Sequence, residues 1–338
     1  MVHMKSGITY NTKIDQWKEL LGKSPDSNLF HTPEWKMLIE KTFKYRPLYL
    51  FSHDEQGELN GMLPLFFIDK RLTGKRICCV PSGHICGALG DDEARLALYN
   101  NAFLLYNTQS AELVEIRGNE SRFGFHTYHI LSTYVLDVRQ SIRIDLHKSI
   151  RRYVSKAEST NRTFLTKDRA YIKELYEVNC LNKRRNRVIT RPKKFFFNMA
   201  EILGDDVFFH IVESKGDVIG GGVSLSFNDD RLLYYIGASH PKHLGKNPSY
   251  SYLWHMIETC LKYGYGSMDF GPSSKDPLDS LTQFKLRWGC REEKMLYSFY
   301  PDVPHYEAKQ SLSHTLIGMM PNFVYKIYSD LVFSSTIN

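Results

Sequence analysis

Two rhythms of apolar residues alternate along this chain. Trp35, Leu38, Ile39, Thr42 and Phe43 recur at helical spacing behind Thr32-Pro33-Glu34. There Thr32 can cap, Pro33 suits the first helical position and Glu34 suits the helix dipole. Leu48-Tyr49-Leu50-Phe51 then reads as a strand, and Gly57 and Gly61 turn it back into a second apolar run over 62–68. Pro64 lies within that run, and because proline cannot donate to a ladder it marks a bulge or an edge. Residues 92–105 predict a helix and 113–116 a strand behind it.

The same order returns in the second half. Tyr171, Leu175 and Tyr176 share a helical face, and residues 207–212 form a strand. Gly216 and Gly220 repeat the spacing of Gly57 and Gly61 before the alternating run Val223-Ser224-Leu225-Ser226-Phe227. Residues 249–262 predict a helix stopped by Gly264, followed by the strand Ser267-Met268-Asp269-Phe270. Each half thus carries a helix, a hairpin, a helix and a short strand with one acid, Glu115 or Asp269. Duplication explains this order.

Composition changes the picture only by exclusion. With 338 residues, 42% hydrophobic and 24% charged, the chain has ordinary globular usage and room for two domains. The six cysteines form no C-x-x-C pair, so we expect reduced thiols and no metal. No apolar run is long enough to span a bilayer and the opening residues show no secretory leader, so a cytoplasmic location is expected. The net charge of +7 is concentrated rather than spread. Residues 139–162 form a basic amphipathic helix between the halves, carrying Arg151 and Arg152. Lys183-Arg184-Arg185-Asn186-Arg187, continued by Arg191, Lys193 and Lys194, contains no acid. Such a run suits phosphates, nucleotides or RNA ends, although most charge runs are solvated faces. The tail over 312–333 is apolar and aromatic, interrupted by Pro321, Lys326 and Asp330. It is expected to pack on the protein or to touch a membrane surface peripherally, at the inner face.

Several segments, in this order, carry a family resemblance. They are Leu29-Phe30-His31-Thr32-Pro33-Glu34-Trp35, Gly61-Met62-Leu63-Pro64-Leu65, Glu115-Ile116-Arg117, the linker over 148–158, Asp269-Phe270-Gly271, and Gln283-Phe284-Lys285-Leu286-Arg287-Trp288-Gly289. The chain resembles the Fem-like and related tandem N-acyltransferases. The resemblance implies an α/β (α+β) fold of two acyl-CoA N-acyltransferase (GNAT-like) domains, with mixed, mostly antiparallel sheets flanked by helices. The domains are expected at 1–138 and 165–304, joined by the basic helix of 139–164, with 305–338 folding back onto the first. Members of the family attach amino acids from aminoacyl-tRNA to a peptidoglycan precursor, and others are linked to polysaccharide or cell-surface synthesis. The donor is thus an acyl-CoA or an aminoacyl-tRNA. The acceptor is an amino or hydroxyl group on an anionic, phosphate-bearing glycan or envelope precursor. DNA is not an expected partner. One departure is visible: residues 241–249 retain Gly245 but lack the second small residue of an ordinary coenzyme A loop.

Three residues are assigned to the chemistry. Gly237, in the strand 232–239, permits close backbone approach to an acyl carbonyl. Lys285 is a cation for a developing oxyanion or phosphate, weighed against an ordinary solvated lysine. Asp269 either orients or deprotonates the acceptor amine, or pairs with Lys285 or Arg287. Arg151, Arg152, Arg184, Arg185, Arg187, Phe284, Tyr235 and Glu115 are assigned to substrate binding, with Arg117 as a partner for Glu115. The loop over 83–90 is read as plain, and His84 and Cys86 alone make no metal site. The rival reading is a non-catalytic module that binds an anionic glycan precursor or RNA in the same cleft.

Overall fold

The computed structural model describes residues 7–70, 74–118, 124–302 and 317–334, which divide into two compact units. One unit holds 7–131 and 294–302. The other holds 132–293 and 317–334.

In the first unit β1 (Gly7–Thr9), α1 (Ile14–Lys23) and α2 (Pro33–Phe43) precede the strands β2 (Arg46–Pro47), β3 (Leu50–His53), β4 (Leu59–Leu63), β5 (Leu65–Lys70) and β6 (Gly74–Cys79). Helix α3 (Asp92–Thr108) leads to β7 (Leu113–Gly118) and β8 (His126–Asp137). Thr32 caps α2 through the Trp35 amide and Pro33 occupies its first turn, as the sequence predicts. Pro64 does more than bulge a strand. It separates β4, paired to β3, from β5, paired to β6 in a different sheet. Strand β6 then runs parallel to β7 over Arg76–Cys78.

The second unit contains α4 (Ile142–Asp145), α5 (Lys148–Thr160), β9 (Arg162–Leu165), α6 (Arg169–Arg185), α7 (Lys193–Ile202), β10 (Val207–Ser214), β11 (Asp217–Asn228), β12 (Arg231–Ser239), α8 (Pro248–Tyr263), β13 (Ser267–Ser273) and α9 (Ser280–Arg287). Strand β14 (Arg291–Tyr300) and α10 (Asn322–Ser334) complete the chain. Strands β9 to β12 form an antiparallel run, β12 meets β13 in parallel, and β13 pairs with the end of β8. Gly57 and Gly216 take the same left-handed backbone at their hairpins, with φ of 83° and 86°. Helix α3 precedes β7 as α8 precedes β13, so each unit repeats the other's connectivity.

Three expected boundaries move. Residues 132–137 pair with β13 inside the second unit, and residues 296–300 pair with β7 inside the first. The basic helix is no free linker: Ile150, Val154 and Ala157 of α5 are buried, and Tyr153 stacks on Tyr250 of α8. Residues 317–334 of the tail group with the second unit rather than the first. They lie on α6, where the Tyr325 hydroxyl donates to the Val188 carbonyl and Lys326 pairs with Glu177. The tail residues 303–316 lie outside the described residues. All six cysteines are buried free thiols.

Candidate active site

Strands β12 and β13 are neighbours for only a short stretch, with Arg231–Leu233 opposite Ser267–Asp269. Beyond Leu233, β13 offers β12 no ladder partner. On the other edge, Val223 faces Ile236 but Ser224 faces Tyr234, which leaves Tyr235 as the extra residue of a bulge. The bulge at Tyr235 thus lies on the stretch of β12 that β13 no longer pairs. Gly237 sits there for want of space: a Cβ would lie 1.8 Å from the Tyr234 hydroxyl and 2.7 Å from that of Tyr252.

Strand β13 deforms in turn. Its register against β8 slips between Asp269 and Pro272, where Gly271 takes φ of 74°. Asp269, 3% exposed, uses Oδ1 to accept the Thr133 hydroxyl and, at 2.7 Å, the Gly271 amide. Arg231 stands 4.0 Å from its Oδ2. Burial raises the Asp269 carboxyl above its ordinary value, and the Thr133 and Gly271 hydrogen bonds oppose that rise. The partner expected in Arg287 is not there: that guanidinium is exposed and bonds the Gln283 carbonyl.

Lys285 is no solvated lysine. It is 2% exposed, and Nζ donates to the carbonyls of Gly271 at 2.6 Å and Pro272 at 3.1 Å. The ammonium lies 5.4 Å from the centre of the Tyr134 ring. Burial pushes its pKa down to about 8, against the pull of Asp269. Gly271 joins the pair: its N–H serves Asp269 and its carbonyl serves Lys285. Phe284 packs edge-on to Tyr250 and Trp288, and Trp288 lies against Phe270, walling this end of the opening.

The basic residues divide into groups. Arg152 lies over Tyr153, whose ring stacks at 4.9 Å on Tyr250 in the first turn of α8, and Arg151 is exposed on the same helix. Arg184, Arg185 and Arg187 are not gathered at the opening. Arg184 donates to the Met320 carbonyl, Arg187 lies against Gly318, and Arg185 is exposed. The cations that do approach it are Lys183 and Arg191. Arg191 covers the Tyr235 ring at 4.9 Å, and with Lys183, Asn179, Thr190 and Ile236 it lines a cavity of about 310 Å³ that has no acidic wall residue. Arg191 Nε and Asn179 Oδ1 are buried there without a hydrogen-bond partner among the described residues. Burial and the nearby Arg191 both lower the Lys183 pKa.

The first unit has the matching place but fills it. Glu115 is the last paired residue of β7 opposite Cys78, as Asp269 is opposite Leu233. Its carboxylate holds Arg117 at 2.6 Å, as expected. Arg117 also donates to the Gly83 carbonyl and covers Tyr297. The Cys86 amide donates to the Arg117 carbonyl, so the 83–87 loop occupies the edge that β7 would otherwise leave open. No cluster of three potential metal ligands occurs among the described residues.

A parallel strand pair that parts beside a bulged strand, ahead of a helix, defines the GNAT-type fold. Residues 141–285 match the model of the acetyltransferase (GNAT) domain, and the fold is shared with solved Fem-like and tandem GNAT structures. The structure of FemX is similar, with a TM-score of 0.68 at 14% identity over 86% of this chain and 96% of that one. A tandem GNAT protein from the clavulanic acid biosynthesis pathway gives 0.55 at 12% identity, covering 89% and 100%. L-PGS from Bacillus licheniformis gives 0.55 at 11% identity, covering 91% and 96%. At these identities the likeness is one of fold. No curated protein sequence matches the chain.

Proposed function

We propose that the second unit transfers an acyl or aminoacyl group to an amino or hydroxyl group of an anionic acceptor, and that the first unit has no reaction of its own. What supports this reading is the bulge of β12 where β13 stops pairing with it, together with Lys285 buried on the carbonyls of Gly271 and Pro272 in β13. Acyl transfer needs a polarised carbonyl, and backbone N–H groups on the edge of β12 that β13 no longer pairs are suited to that. An ammonium has three donors, and Lys285 spends two on the Gly271 and Pro272 carbonyls. The third is free for the oxyanion or for the departing oxygen or sulfur. Asp269 has its Oδ1 committed to Thr133 and Gly271, so its role is to position Gly271, and through it Lys285, rather than to take the acceptor's proton. The amine attacks the acyl carbonyl directly, the bond from that carbon to the donor's oxygen or sulfur breaks, and the proton the amine loses passes to the departing group or to solvent. Among the described residues, Ser224, whose hydroxyl bonds the His210 ring, is fully buried and is not placed to act as a nucleophile.

The acceptor's anionic group fits the cavity of Lys183 and Arg191, which abuts the bulge at Ile236. This supports a phosphate-bearing glycan or cell-envelope precursor. The donor is an acyl-CoA or an aminoacyl-tRNA, held near Arg152 and Tyr250 at the head of α8. That head is partly closed: Pro248 lacks an amide hydrogen, and Asn161 bonds the Lys246 carbonyl and Ser251. Pro248 leaves one amide fewer for a pyrophosphate at the head of α8, which favours aminoacyl-tRNA. Hydrogen exchange in the presence of acetyl-CoA or of an aminoacyl-tRNA pool tests this. Protection over 234–239 and 268–273 by one of them is expected. Protection by neither, or only over 76–90 of the first unit, contradicts it.

A further inference from the structure

Helix α10 is apolar on two opposite faces. One face carries Tyr325 and Ser329, both fully buried against the second unit. On the other, Phe323, Ile327 and Leu331 stand one turn apart with exposures of 68%, 58% and 61%, and Met319 before them is 77% exposed. An exposed apolar stripe of this length marks an interaction surface. Its surroundings say for which partner. Arg187 lies against Gly318 and Arg184 against Met320 at one end of the stripe. Lys193 and Lys194, exposed in the first turn of α7, act on Asp330 near the other end. Arg185 is exposed as well. Asp330 is the one acid on the outward face of α10, and the two lysines offset its charge. Lys326 is already taken by Glu177.

We propose that this face docks on an anionic bilayer surface, with the stripe of Phe323, Ile327 and Leu331 entering the headgroup boundary and Arg185, Arg187, Lys193 and Lys194 meeting acidic headgroups. Burial of apolar side chains and attraction to anionic lipid act together in such helices, and neither suffices alone. The inference is independent of the acyl-transfer reading and stands or falls without it. It also gives Arg185 and Arg187 a role that the opening between β12 and β13 does not.

Sedimentation of the full chain with vesicles tests it. Vesicles of phosphatidylcholine with about 30 mol% phosphatidylglycerol should carry the protein down, and phosphatidylcholine alone should not. Phe323→Glu with Ile327→Glu should abolish binding while leaving thermal melting in place. Lys193→Gln with Lys194→Gln leaves the stripe intact, and the partition coefficient should fall about fivefold per cation removed. Failure to bind anionic vesicles overturns the proposal. So does equal binding to neutral vesicles. A dimer in sedimentation velocity that Phe323→Glu and Ile327→Glu dissociate, without lipid binding, would assign the stripe to a second copy instead.

Discussion

A lysine buried as deeply as Lys285 is held by acceptors rather than by water. Two carbonyls take two of its protons, and its pKa falls to about 8 because burial disfavours the charge. If the ammonium is the working form, acyl transfer should decline as pH rises through about 8, and a profile flat up to pH 10 would deny that role. Asp269→Asn separates positioning from proton transfer. Asparagine Oδ1 still accepts from Thr133 and Gly271, so the rate should fall less than about tenfold, whereas removal of a general base costs roughly 10²–10⁴-fold. Both positions stand out in the sequence, through an acid in an apolar strand and the Phe284-Lys285 step. Their partners are not. Thr133 is 136 residues from Asp269, and Arg231 belongs to another strand. The burial of Lys285 depends on Gly271 and Pro272, 14 and 13 residues away across a strand-to-helix turn. Charge patterning singles out one group of arginines, while the structure places another over the bulge. Arg184, Arg185 and Arg187 form the denser cluster, but the loop between α6 and α7 delivers Arg191 to Tyr235.

At the scale of elements the strongest constraint is the run Gly220-Gly221-Gly222 in β11. A Cβ on Gly221 would lie 2.3 Å from the His210 carbonyl and 3.0 Å from Leu175 of α6. One on Gly222 would lie 2.9 Å from the Ile236 carbonyl, and Met256 of α8 is also in the way. These glycines let helices approach both faces of the strand that supports the bulge. Gly221→Ala should destabilise the protein by about 1–3 kcal/mol, since a backbone carbonyl cannot swing aside as a side chain can. An unchanged melting temperature would show that the strand gives way at little cost. The helices and hairpins themselves are readable from local signals, because caps, glycine turns and apolar periodicity act within a few residues. Gly264 stops α8 in the left-handed region, as read. The effect of Pro64 is only half readable. Sequence marks the break, but which sheet each side joins depends on partners elsewhere in the chain.

At the scale of the molecule, repetition is legible and the allocation of strands is not. Residues 132–137 and 294–300 each lie near an expected boundary, and pairing rather than chain order decides which unit they complete. The tail shows the same limit. Its apolar content is plain in the sequence, but its seat on α6 is fixed by Tyr325 and Val188, 137 residues apart. The two units make different predictions despite their shared connectivity. The cavity beside the second unit's bulge should bind an anion, so Arg191→Ala should raise the KM for a phosphate-bearing acceptor about tenfold or more, the loss of one charge-assisted contact. An unchanged KM would place the acceptor elsewhere. The most direct test of acyl transfer by the second unit is a transfer assay using radiolabelled acetyl-CoA or a radiolabelled aminoacyl-tRNA pool, with a fraction of small phosphate-bearing glycans as acceptor. Wild type should form labelled product from one donor, and folded Lys285→Met should form about a hundredfold less, the loss of one oxyanion contact. No product from either donor, or equal product from Lys285→Met, would contradict the account.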